Sequence, residues 1–169
     1  PENGSNERIL VEDCHYGFCH GCLTCGSDSI HDRNILVRRL QVDHARNLLW
    51  LKMRPDTPQH YEYITVEQVT GNVESFINIK PWTQFYDLKD RKDIPLSHAD
   101  HITVRSCTCE CKALFDIDSA PEPYCLNQFI LEGLNITAEE KTVLPSIVEN
   151  SELRNCKIMT AVNFDTNKL

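Results

Sequence analysis

Apolar and polar residues alternate with a period of two along most of this chain. In "NILVRRLQV", residues 34 to 42, Ile35, Val37 and Val42 alternate with basic neighbours. In "RNLLWLKM", residues 46 to 53, Leu49, Leu51 and Met53 share one face, and Leu48 and Trp50 share the other. "YEYITVEQV" at 61–69 is rich in β-branched and aromatic residues, and "VESFINIKPW" at 73–82 closes on Pro81. "HITVRSCTCECKALFDID", residues 101–118, is the longest such run, followed by "CLNQFILEGL" at 125–134 and "CKIMTAVNF" at 156–164. A period of two puts alternate side chains on opposite faces of an extended backbone, so each run predicts a strand.

The breaks between runs are turn-like. "RPDTPQ" at 54–59 and "SAPEPY" at 119–124 carry prolines, "TGN" at 70–72 a glycine, and "DLKDRKD" at 87–93 is densely charged. "PENGSNE" at the start reads as a frayed polar terminus, and the short cysteine spacings and glycines of "CHYGFCHGCLTC" at 14–25 read as a loop. One helix is expected from Thr137, where Thr137 and Glu140 fit a capping box and Pro145 limits the length. About seven short strands with proline-rich turns predict an all-β fold, an antiparallel β-sandwich of immunoglobulin or fibronectin-III type. Residues 31–169 would form the sandwich, and residues 1–30 a Cys-rich segment docked on it, as one domain. No internal repeat, low-complexity segment or family-specific motif stands out.

Composition narrows the function classes. The 169 residues carry 25 acidic and 17 basic side chains, a net charge of −8. Such a balance disfavours nucleic acid, which demands a basic surface, and suits a cationic protein partner. No apolar run approaches the roughly 20 residues of a membrane-spanning helix. The first residue is Pro1 rather than Met, which suggests a processed product, so a missing signal peptide does not argue against secretion.

Nine cysteines are many for a reduced compartment. Cys14, Cys19, Cys22, Cys25, Cys107, Cys109, Cys111, Cys125 and Cys156 are therefore disulfide candidates, with one left over. Continuous alternation through 101–118 places Cys107, Cys109 and Cys111 on one face together with Arg105, opposite Val104, Thr108 and Glu110. That face would be covered by residues 14–25 and bridged to them, while Cys125 and Cys156 could pair with each other. Zinc is the alternative, held by Cys22-x-x-Cys25 with Cys107 and Cys109, although C-x-C-x-C is a less typical second half. A cysteine-lined patch of core is the third reading of the row, disfavoured because Arg105 falls on the same face. Asn3-Gly4-Ser5 and Asn135-Ile136-Thr137 fit the N-glycosylation acceptor pattern, making Asn3 and Asn135 glycan candidates.

Little else points to chemistry. His98-Ala99-Asp100-His101 offers metal-ligand types, but on a strand His98 and His101 face opposite sides, so a polar loop leading into the long strand is the preferred reading. No nucleophile elbow, phosphate loop or dinucleotide fingerprint is present. Tyr61, Tyr63, Trp82, Phe85 and Tyr86 lie at strand ends and are candidate interface anchors. The expectation is a secreted or extracellular, disulfide-stapled glycoprotein that recognises a protein ligand or receptor without catalysis and without a cofactor. A zinc-stabilised intracellular regulatory domain is the alternative, and a small Cys/His hydrolase ranks third.

Overall fold

The computed structural model describes residues 4–82, 84, 90, 92, 95–118, 124–140 and 145–161. Strands form where the alternation places them, but the sheet is parallel throughout. The elements are β1 (Asn6–Cys19), β2 (Leu23–Cys25), β3 (His31–Met53), β4 (His60–Pro81), β5 (Ser97–Arg105), β6 (Thr108–Ile117), β7 (Tyr124–Glu132), β8 (Asn135–Ala138), β9 (Val148–Glu149), β10 (Glu152–Arg154) and β11 (Lys157–Thr160). β1 and β2 both pair with β3, β3 with β4, and β4 with both β5 and β6. β5 then pairs with β7, β6 with β8, β7 with β9 and β10, and β8 with β11. Each passage along the chain lies beside the previous one in the same direction. The chain therefore winds as a solenoid of stacked turns, and every turn contributes one rung. This overturns the antiparallel immunoglobulin-like sandwich.

Two columns of left-handed residues run up the solenoid and mark two of its corners. Arg8, Asn34, Tyr63, His101, Gln128 and Asn150 all have φ between 50° and 57°. Register puts these six side by side on successive turns. Five residues further on, Asp13, Arg39, Gln68, Ser106, Gly133 and Asn155 form a second left-handed column, with φ from 52° to 60°. A left-handed residue turns the strand sharply and costs a non-glycine residue about 1–2 kcal/mol. It recurs at the same rung because each turn templates the next.

The segment between the corners repeats in the sequence: "ILVE" after Arg8, "ILVR" after Asn34, "ITVE" after Tyr63, "ITVR" after His101, "FILE" after Gln128 and "SELR" after Asn150. Ile35, Ile64, Ile102 and Phe129 stack inside, as do Val37, Val66, Val104 and Leu131, all buried. The outward position alternates Glu12, Arg38, Glu67, Arg105, Glu132 and Arg154 up the stack. Arg38 pairs with Glu12 at 2.7 Å and Arg105 with Glu67 at 2.6 Å. A slip of one turn's register would move every charge and turn inward apolar positions outward, so charge and burial specify the same alignment. The internal repeat thus exists, contrary to the sequence reading.

The second corner also explains the cysteine row. Val104 is buried, Arg105 points out, Ser106 occupies the left-handed corner, and Cys107 is buried again. The corner residue shifts the alternation, so Val104 and Cys107 both face inward and Arg105 does not share the sulfur face. Cys109 lies beside Gly71 and Ile136, and Cys111 beside Val73 and Ala138. The row is interior packing, the third of the readings above. Gly71 is required there: its φ is 136°, and a Cβ would stand 1.8 Å from the Val42 carbonyl oxygen.

Residues 14–25 lie in β1 and β2 and in the bend between them, rather than in a separate loop. No helix occurs among the described residues. Thr137 belongs to β8, and the backbone N–H groups of Glu139 and Glu140 donate to Cys111 and Lys112, prolonging the ladder. The pairing with β6 and β11 outweighs the local capping pattern.

Candidate functional site

All nine cysteines are free thiols, and no pair stands at disulfide distance. The expected bridges between 14–25 and the row, and between Cys125 and Cys156, are not formed. Geometry explains the row: side chains two apart on a strand are separated by roughly 6.6–6.8 Å and run parallel, so neighbouring sulfurs cannot bond. Burial pushes the thiols up, to about 11 for Cys107, about 12 for Cys109 and about 11 for Cys111. Cys22 is raised by burial and by its neighbours Cys19, Cys109 and Cys107, and Cys25 by burial and Asp32. Neutral buried thiols are poor nucleophiles. Cys25 lies among different neighbours from Cys22, and the proposed four-sulfur zinc set does not assemble.

The aromatic candidates separate. Tyr61 is fully buried, and its hydroxyl donates to the Lys52 carbonyl at 3.1 Å. Trp82 meets Trp50 edge-on at 5.7 Å, and the Lys52 ammonium lies 4.0 Å over Trp50 and 4.2 Å over Trp82. Burial lowers Lys52. Trp82 therefore closes a structural clamp. Phe85, Tyr86 and Asn3 lie outside the described residues. Tyr63 alone stands out, 49% exposed, because it occupies the first corner. Asn135 is exposed on β8.

The corner that exposes Tyr63 also gathers imidazoles and carboxylates. His31, His60 and His98 occupy one rung position on β3, β4 and β5. Neighbouring turns of a sheet are about 4.8 Å apart, close enough for rings to stack. His31 and His60 lie 5.3 Å apart and nearly parallel, and His60 and His98 5.6 Å apart edge-on. Two residues further along, Glu62 and Asp100 share a rung. His31 Nε2 lies 2.9 Å from Glu62 Oε1, and His60 Nε2 lies 2.8 Å from Asp100 Oδ2 and 3.8 Å from Glu62 Oε2. Ser5 Oγ holds His31 Nδ1 at 2.8 Å. His101 Nδ1 hydrogen-bonds the other oxygen of Asp100, and its ring stacks on Tyr63 at 4.4 Å. Burial raises Asp100, but the hydrogen bonds and positive charge of His101 and His60 outweigh it and hold the carboxyl below its ordinary range.

Sequence reasoning singled out Asp100 and His101 in a metal-type motif but missed His31, His60 and Glu62 as their companions. His-x-x-Tyr before Ile-x-Val-Glu, and the spacing of His31, His60 and His98 four residues before each "Ile-x-Val" unit, carry the signal. The expected loop at 98–101 is strand β5.

Fold and site together define a parallel β-solenoid with an imidazole–carboxylate corner. No family model and no curated protein matches the chain. Among the described residues no helix is long and apolar enough to cross a membrane.

Proposed function

We propose that this chain is a non-catalytic extracellular recognition module that binds a protein ligand or receptor through its first corner. The observation that carries the reading is Tyr63, half exposed and stacked on His101, with Glu62 and Asp100 beside them. An aromatic held in place by stacking loses little conformational entropy on binding. Its face, rimmed by carboxylates, suits an Arg or Lys side chain of a cationic partner. The net charge of −8 would speed the encounter.

The extracellular placement is supported by the exposed Asn135 acceptor site. The free thiols of Cys107, Cys109 and Cys111 are compatible with it, because burial and raised pKa values slow their oxidation. A random peptide library panned on immobilised protein, with Tyr63→Ala protein as a parallel target, tests the reading. Enrichment of Arg- and Lys-rich peptides on the wild type, lost with Tyr63→Ala, supports it. Enrichment that ignores charge, or that survives Tyr63→Ala, overturns it.

A further inference from the structure

We infer that His31, His60 and Glu62 form a binding site for a divalent transition-metal ion of the zinc type. The site shares Glu62 with the recognition corner but does not rest on peptide binding, because zinc affinity is read without any peptide. The donor atoms of these three side chains all lie within 4.8 Å of one another, and this is the one such group of three or more among the described residues. A tetrahedral ion with bonds of about 2.0–2.1 Å needs donors roughly 3.4 Å apart. The 2.9 Å contact from His31 Nε2 to Glu62 Oε1 and the 3.8 Å contact from His60 Nε2 to Glu62 Oε2 bracket that spacing, one on each carboxylate oxygen. The side chains are half-buried, with 27%, 40% and 16% exposure for His31, His60 and Glu62, so the shift needed lies within their rotamer freedom.

The surroundings resemble the outer shell of a metal site. His31 Nδ1 is held by Ser5 Oγ, which leaves Nε2 facing Glu62. An oriented imidazole whose second nitrogen is hydrogen-bonded binds a metal more firmly. His60 is flanked by the rings of His31 and His98, which fix its plane. Asp100 Oδ2 lies 2.8 Å from His60 Nε2, outside the group of three, and holds that ring from the side of β5. Two imidazole nitrogens with a carboxylate oxygen favour zinc, copper or nickel over calcium and magnesium, which prefer all-oxygen shells. The ligands come from successive turns, so an ion would clasp β3 to β4.

Calorimetric titration of zinc chloride into chelator-treated protein tests this, read beside the histidine ring signals in a ¹⁵N NMR spectrum. Wild-type protein is expected to bind a single ion per chain, with the His31 and His60 Nε2 signals shifting together. His60→Ala and Glu62→Gln are each expected to weaken binding by about tenfold or more. His15→Ala, far along β1, is expected to leave it unchanged. Binding undiminished in His60→Ala and Glu62→Gln, as thiol capture would give, overturns the site. So does the absence of binding at micromolar zinc. Circular dichroism spectra superimposable on the wild type establish that the variants fold.

Discussion

Two sets of metal-capable side chains occupy this solenoid and behave oppositely. Cys107, Cys109 and Cys111 run along one turn inside the wall, and His31, His60 and His98 run across turns outside it. Along a strand, same-face neighbours are roughly 6.6–6.8 Å apart, too far to share an ion or a bond. Across turns they are about 4.8 Å apart. Burial then separates them further: the thiols are desolvated and stay protonated, whereas the imidazoles meet carboxylates at the surface. The direction of a row relative to the strands, more than the identity of its residues, decides whether it can act.

The largest expected effect comes from charging the inner row. Its thiols are raised in the folded state, so the unfolded chain releases their protons first as pH climbs above about 9. Stability is intact below that point and falls as pH rises towards 11–12, the folded values. Urea midpoints across this window are expected to drop steeply in the wild type. A Cys107→Ala, Cys109→Ala, Cys111→Ala triple variant is expected to show a shallower fall, and an identical slope would refute the desolvated row.

A permanent charge sharpens the same contrast. Cys109→Asp leaves an unpaired carboxylate among Gly71, Ile136 and the neighbouring thiols, and should cost about 3–5 kcal/mol, enough to lose cooperative urea unfolding. Gly71→Ala should cost roughly 3 kcal/mol by the same measurement, because its Cβ meets the Val42 backbone. A corner substitution costs less. Gln68→Val, placing a β-branched residue at φ 55°, should lose about 1–2 kcal/mol. On the outer column, His60→Ala in metal-free protein should change stability by less than about 0.5 kcal/mol. A loss above 2 kcal/mol there would mean that the histidines are structural, erasing the distinction from the thiols.

The strands were legible because alternation is a local property. Ile35 to Val42, Tyr61 to Val69 and Cys125 to Glu132 all fall in strands where the pattern puts them. Direction was not legible. "ILVR", "ITVE" and "ITVR" announce stacked turns, but unequal connecting segments hide their period, and the left-handed corners at Ser106 and Gln68 reset the inside–outside count. Cys107 therefore looked like a partner of Arg105. The site was fragmentary for the same reason. His31, His60 and Asp100 are far apart in sequence and become neighbours only once the turns are in register. Thr137 shows the limit of local signals, since a good capping pattern yields to pairing with β6 and β11.

The central claim, that cysteines pack the inside of a parallel solenoid instead of stapling a sandwich, is tested most directly by counting thiols. Protein purified without reductant and unfolded in guanidinium should titrate nine thiols with a chromogenic disulfide reagent. In native protein at neutral pH the half-buried Cys14, Cys19, Cys125 and Cys156 should react first, and Cys22, Cys25, Cys107, Cys109 and Cys111 should stay protected. A count below nine in denaturant, with a bridge mapped from 14–25 to 107–111, would contradict the account.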